Sequence, residues 1–263
     1  MFDINIFLQN KDYFDVFEGM TSISAVIRSI SDAKSDRSIY AVIYATEKKI
    51  QKKRELSFLS RAASDIGFDL IELPIDEITS ITTGDTHGGM IAICSKRSFP
   101  STFVNKLTNT SFYALIEGIE DPYNFGYSVR SLYAAGVDGI ILPPRNWMEI
   151  SGVIARSSAG TSELADIYVC DVYEAVQIFK QNGFKVVCAS IRDSVSIHEY
   201  DFTTPTLLVV GGEKRGISRK ILDASDANVR IDYARDFMGS LPTASAVSVI
   251  AFEISRQKAM KKA

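Results

Sequence analysis

Residues 206–217, Thr-Leu-Leu-Val-Val-Gly-Gly-Glu-Lys-Arg-Gly-Ile, join an uncharged β-branched run to a glycine-rich turn. A short apolar run ending in glycines suits a strand buried on both faces, the kind found inside a parallel sheet. Paired glycines at its carboxyl end permit close approach of backbone to a ligand, and they equally permit a tight strand-to-helix turn. The turn matches neither the dinucleotide fingerprint G-x-G-x-x-G nor the P-loop G-x-x-x-x-G-K-[ST], so it supports neither NAD nor ATP use.

Outward from this stretch, strand and helix signals alternate. Residues 112–117, 138–142, 166–170, 185–190 and 228–232 read as further strands, with helical segments between most of them. Such alternation predicts an α/β fold with a mainly parallel sheet covered on both faces. Ligands in these folds bind beyond the carboxyl ends of the strands, so the loops there are where chemistry belongs. Residues Thr243 to Lys261 predict a long helix, with Arg256, Lys258, Lys261 and Lys262 near its end, where cations suit the helix dipole.

Upstream, residues 38–45, 68–73 and 90–95 are shorter β-branched runs, and a helical pattern from Lys48 to Ile66 separates the first two. They predict a smaller αβ domain over residues 1–98. Residues 96–111 carry Pro, Ser, Thr and Asn between apolar blocks, the composition of a linker. The boundary is therefore set near Phe99, with a linker over 99–111 and a second domain over 112–263. Lys48, Lys49, Lys52, Lys53, Arg54 and Arg61 crowd the helical pattern, and both a solvated face and an RNA contact fit them.

A chain of 263 residues allows one large domain or two ordinary ones. Its 46% apolar and 23% charged residues suffice for a real core, which excludes a disordered chain. Apolar runs fall far short of the roughly 20 residues of a membrane helix. The opening Met-Phe-Asp-Ile has no basic and apolar leader pattern, so the expected location is cytoplasmic. Cys94, Cys170 and Cys188, with only His87 and His198 beside them, read as small buried hydrophobes rather than a disulfide framework or a zinc site. A net charge of -3 excludes binding of nucleic acid by overall charge and leaves room for a local basic patch.

Two further loops carry chemistry-bearing residues. The first reads Glu117-Gly-Ile-Glu-Asp-Pro-Tyr-Asn-Phe-Gly-Tyr-Ser-Val-Arg130. Asn124 is placed to cap a helix starting near Gly126. Arg130 then falls about one turn into that helix, where the dipole disfavours a cation, so a carboxylate or phosphate partner is implied. The other loop runs Met238-Gly-Ser-Leu-Pro-Thr-Ala-Ser245 into the terminal helix, with Ser240 as cap and Pro242 in the first turn.

In this order, N-x-G-x-x-x-R, then G-x-E-x-x-G-[IL], then S-L before a terminal helix, the loops resemble the three motifs of the SpoU (TrmH) branch of the knotted methyltransferases. Ala155-Arg-Ser-Ser-Ala-Gly160 is similar to that family's short Ser-Ala-Gly segment. The N-terminal part, including the Thr86-His87-Gly88-Gly89 turn, resembles the ribosomal-protein-like RNA-binding domain of many members. The resemblance implies a trefoil knot in the C-terminal domain, a homodimer, and S-adenosylmethionine held by Gly211, Ile231 and Leu241 with Gly212, Gly216 and Ala189 near. It places Asn124, Arg130, Glu213 and Ser240 at the substrate and the chemistry. Where the family reads S-L-N-V-S, this chain has Ser240-Leu241-Pro242-Thr243-Ala244, losing two polar groups, and Gly212 stands where Asn is frequent.

A ribose 2′-hydroxyl must shed its proton as it attacks the methyl carbon of a sulfonium, so negative charge on that oxygen needs stabilising. Arg130, whose guanidinium stays protonated, suits that role together with a grip on a neighbouring phosphate. Glu213 is expected to orient it through a bidentate pair or to serve as a helix N-terminal acid. The implied activity is RNA 2′-O-methylation, on ribosomal rather than transfer RNA. The rival is a knotted RNA-binding protein that has lost turnover. A hydrolase or oxidoreductase ranks last, lacking G-x-S-x-G, a metal cluster and a nucleotide fingerprint.

Overall fold

The computed structural model describes residues 2–82, 85–144, 150–236 and 238–262. Its chain divides into two compact units, Met1–Ser98 with Asn146–Leu164, and Phe99–Arg145 with Ala165–Ala263.

The first unit carries α1 (Ile4–Gln9), β1 (Phe14–Glu18), α2 (Gly19–Ser31), β2 (Ile39–Ala45), α3 (Lys53–Ile66), β3 (Asp69–Leu73), α4 (Ile75–Ile81) and β4 (Met90–Ser95). The strands are ordered β1-β4-β2-β3, antiparallel except for the β2–β3 pair. Strand β1 escapes a hydrophobicity reading because Asp15 and Glu18 interrupt it. Both carboxylates are nevertheless buried, Asp15 against Arg37 at 2.5 Å and Glu18 against Arg156 at 2.6 Å. Helix α3 starts at Lys53 rather than Lys48, because residues Thr46–Lys48 form a separate 3-10 turn. His87 is buried; its Nδ1 accepts from the Gly89 N–H at 3.0 Å and its Nε2 meets Thr79 Oγ1 at 3.3 Å, the bonding of a structural turn residue.

The second unit opens with β5 (Phe112–Ile116), α5 (Pro122–Ala134) and β6 (Gly139–Leu142). The chain then joins the first unit for α6 (Ser151–Ser157) and α7 (Thr161–Leu164). This corrects the expectation of a second domain continuous over 112–263. A side chain at Gly152 would meet the Val16 carbonyl oxygen at 2.2 Å, so only glycine lets α6 lie this close to β1. The Arg37 guanidinium, fully buried, pairs with Glu163 at 2.8 Å as well as with Asp15. Arg97 donates to the carbonyls of Ser162 and Glu163 at 3.1 and 3.3 Å. A buried ion triad of this kind has no local signature in sequence, since its members are 22 and 126 residues apart.

The chain continues through β7 (Ile167–Val169), α8 (Val172–Gln181), β8 (Lys185–Ala189), β9 (Ser194–Ser196), β10 (Thr206–Val210), α9 (Arg219–Ala224), β11 (Ala227–Arg230) and α10 (Thr243–Lys262). The seven strands pair in parallel in the order β7-β6-β5-β10-β8-β11-β9. This is the expected α/β parallel sheet. β10, the uncharged run that ends in the paired glycines, is buried throughout between β5 and β8. The proposed linker 99–111 is instead part of this unit. Phe103 is buried and stacks on Phe179 with ring centroids 4.7 Å apart, beside Tyr113 and Tyr168. Burying such a ring contributes about 1.5–3 kcal/mol, which a mere connector does not supply. Among the described residues no helix is long and apolar enough to cross a membrane.

Candidate active site

Strands β5 and β10 are parallel neighbours, so the loops that follow them meet at the carboxyl end of the sheet. In the first loop the helix starts earlier than expected. Asp121 is the N-cap of α5, its side chain accepting from the Asn124 N–H at 2.8 Å, and Pro122 occupies the first turn. Asn124 is therefore not a cap. Its side chain is free to cross to the second loop, where Nδ2 donates to Glu213 Oε1 at 2.7 Å.

The earlier start also moves Arg130 into the second half of this 13-residue helix, where the dipole no longer opposes a cation. Six residues beyond Asn124, it sits ~9 Å further along the axis and on another face. It is exposed, and no hydrogen bond or ion pair reaches it among the described residues. The expected Arg130–Glu213 pair does not form. Glu213 is held by Asn124, and Glu117, at the start of the first loop, accepts from the Ser218 N–H at 2.8 Å.

The second loop folds back on itself. The Gly216 N–H donates to the Gly212 carbonyl at 2.9 Å, the return bond is 3.3 Å, and Gly216 has φ +63°. A Cβ on Gly211 would lie 2.2 Å from the Gly216 carbonyl carbon, and one on Gly212 would lie 1.9 Å from the Gly118 oxygen. Gly211 thus closes the turn, while Gly212 lets the second loop press against the first. The asparagine that the family resemblance leads one to expect at 212 has no space for its Cβ in this arrangement.

The third loop brings Ser240 and Leu241 across from the glycines, with the Leu241 N–H donating to the Tyr233 hydroxyl at 3.1 Å. Ser240 is not the cap of α10. The helix begins at Thr243 and its first bond runs from the Ala246 N–H to the Pro242 carbonyl at 3.0 Å, so Pro242 holds the cap position and offers no capping side chain.

Between the second and third loops lies a cleft of about 470 Å³. Ala189, Gly211, Gly212, Glu213, Gly216, Ser240 and Leu241 line it, and Ile231, Asn124 and Arg130 do not. Asn124 is tied to it through Glu213, and Ile231 follows β11, half-buried. Val210, Ile217, Pro242, Thr243 and Ala246 complete the lining and were missed. Pro242 and Thr243 were findable, since they adjoin Leu241 at the start of the terminal helix; the others show no polar signal. A second cleft of about 360 Å³ is lined by Gly118, Glu120, Asp121, Pro122, Glu213 and Lys214, so Glu213 is the wall between the two. Burial pushes the Cys188 thiol, within β8, up to about 11, which removes it as a nucleophile. Among the described residues no group of His, Cys, Asp and Glu is arranged to hold a metal ion. The cleft is of a size usual for small-molecule sites, roughly 300–1,000 Å³, and its glycine and apolar walls suit a flat aromatic ligand.

Residues 111–252 match the SpoU rRNA Methylase family. A protein of Staphylococcus saprophyticus assigned to the TrmH family of tRNA/rRNA methyltransferases is 28% identical over 145 residues, 55% of this chain and 58% of that protein. A counterpart in Staphylococcus haemolyticus is 27% identical over 149 residues, 56% and 59% of the two chains. The chain thus spans less than two thirds of these relatives. The AdoMet-bound rRNA methyltransferase of Sinorhizobium meliloti superposes with a TM-score of 0.76 at 21% identity, covering 94% of this chain and 89% of that one. An RNA 2′-O ribose methyltransferase gives 0.77 at 17% identity, covering 95% and 91%. At these identities the two superpositions show a shared fold.

Proposed function

The chain belongs to the SpoU rRNA methylase family, and from that membership we propose that it transfers a methyl group from S-adenosylmethionine to a ribose 2′-hydroxyl of RNA. Ribosomal RNA is favoured over transfer RNA, on the resemblance of the first unit to a ribosomal-protein-like RNA-binding domain. The observation that carries the reading is the meeting of the second and third loops around one cleft, whose wall residue Glu213 is tied to the first loop by Asn124.

The cleft fits the cofactor in size and lining. Gly211, Gly212, Gly216, Leu241 and Ala189 would hold it, with Ile231 beside them. When bound, it supplies an electrophilic methyl carbon on sulfonium. Asn124 fixes the Glu213 carboxylate, leaving its second oxygen to accept from a substrate hydroxyl. Ser240 presents a further hydroxyl across the cleft. Arg130, a permanent cation with no protein anion among the described residues, takes an RNA phosphate and offsets the negative charge that develops on the 2′ oxygen. The same reading includes a trefoil knot, a cytoplasmic location, and a homodimer with α10 in its interface, to which the exposed Val249 and Phe252 of that helix lend support.

One observation favours a second reading. Pro242 lines the cleft where related sequences place a polar Asn, and an RNA-binding protein with weak turnover is the result if nothing replaces that group. Mapping 2′-O-methyl marks on total RNA with and without the protein, beside calorimetry with S-adenosylmethionine, separates the two. New cofactor-dependent marks are expected. Cofactor and RNA binding without any mark would establish the second reading, and absence of cofactor binding would sink the first.

A further inference from the structure

Helix α5 presents one exposed stripe. Tyr123, Tyr127, Arg130 and Ala134 follow at intervals of four, three and four, so they stand one above another on one face, while Phe125, Val129 and Leu132 are buried. Both tyrosines are 47% exposed. Among the described residues no aromatic ring packs on either and no hydrogen bond reaches either hydroxyl. Large rings left in water by their own fold invite a partner. The stripe adjoins chemistry at one end, since Tyr123 lies between Pro122, which lines the second cleft, and Asn124, which holds Glu213. Its other members include an unpaired guanidinium.

We propose that Tyr123 and Tyr127 are the stacking platform for unpaired RNA bases flanking the methylated nucleotide, with Arg130 taking the phosphate between them. The proposal rests on the RNA-methylation reading above. Residues four apart rise ~6 Å along a helix, close to two base-stacking intervals of about 3.4 Å each. One splayed base fits between the two rings, or one can lie on each. Stacking is sequence-tolerant because every base has a π-face, so the platform grips the strand and leaves the choice of nucleotide to the clefts. Charge favours RNA over an apolar protein surface: the bare guanidinium is poorly matched to a greasy partner, whereas an RNA strand supplies a phosphate for it and bases for the two rings. An uncharged apolar surface suited to a protein partner lies on α10 instead, at Val249 and Phe252.

The test measures anisotropy of a labelled short single-stranded RNA of mixed sequence on the full chain. Tyr127→Phe keeps the ring and is expected to bind within about twofold of the parent. Tyr127→Leu and Tyr123→Leu keep apolar bulk without the ring and are expected to weaken binding about tenfold each, with cofactor affinity, melting temperature and mass in solution unchanged. Ultraviolet cross-linking of parent protein to the same RNA should leave a nucleotide adduct on the peptide carrying Tyr123 and Tyr127. Leu variants that bind RNA like the parent while the parent still methylates would overturn the platform and leave the methyltransferase reading intact. Loss of mass in solution by the Leu variants would assign the face to a second copy of the chain and equally overturn it. A parent that binds neither cofactor nor RNA would remove both.

Discussion

Arg130 is the residue whose meaning changes most between sequence and structure. Read from a helix starting near Gly126, it sat at an unfavourable terminus. In α5, which begins at Pro122, it stands exposed in the second half with no partner among the described residues. Arg130→Ala should therefore fold with stability within about 0.5 kcal/mol of the parent. Removing a charge that acts on the transition state should lower turnover about a hundredfold or more, with cofactor affinity unchanged and poor rescue by Lys. Thermal melts beside single-turnover rates check this, and a variant that melts lower but turns over normally per folded molecule would take Arg130 out of the mechanism. Gly211 teaches the opposite lesson. Its glycine is demanded by the Gly216 backbone 2.2 Å from where a Cβ would stand, so Gly211→Val breaks the loop before it touches any ligand. Candidate residues could be named from the sequence because loops after strands collect function. The Asn124–Glu213 bond could not, since it spans 89 residues and depends on β5 and β10 being neighbours.

At the scale of elements, strands announced themselves where the residues are uniformly apolar, as in β10, and hid where they are short or charged, as in β1 and β9. Helix starts were misplaced by a turn at α5 because Asp121 and Asn124 are both good caps and only the fold chooses between them. Helix α10 was legible and carries an acid-sensitive contact. Glu253, buried on it, is held down to about 2 chiefly by hydrogen bonds from Arg256, with Gln257 adding another. A carboxyl lowered in the folded state stabilises above its ordinary value of 4.5, and that contribution is lost as pH falls towards about 2. The parent's melting temperature should thus drop more steeply than that of Glu253→Gln between these values. Parallel melting curves across that range would refute the contact's role.

At the scale of the molecule, the α/β class and the two-part organisation could be read from strand spacing, but the border could not. Phe103 belongs to the second core and residues 150–164 to the first, because aromatic stacking and buried charges, not composition, decide membership. The proposed homodimer is a whole-molecule property, and light scattering at micromolar concentration should give twice the mass of the 29.0 kDa chain; a monomer would sink it. The buried triad has one more consequence, for synthesis on the ribosome. Domains emerge amino end first and begin to fold as they appear. Here the first unit surfaces with Arg37 and Asp15 already present and Glu163 still untranslated, and α6 and α7 follow only after two strands of the next unit. The triad can close only after those strands have been made, so completion of the first unit follows synthesis of part of the second.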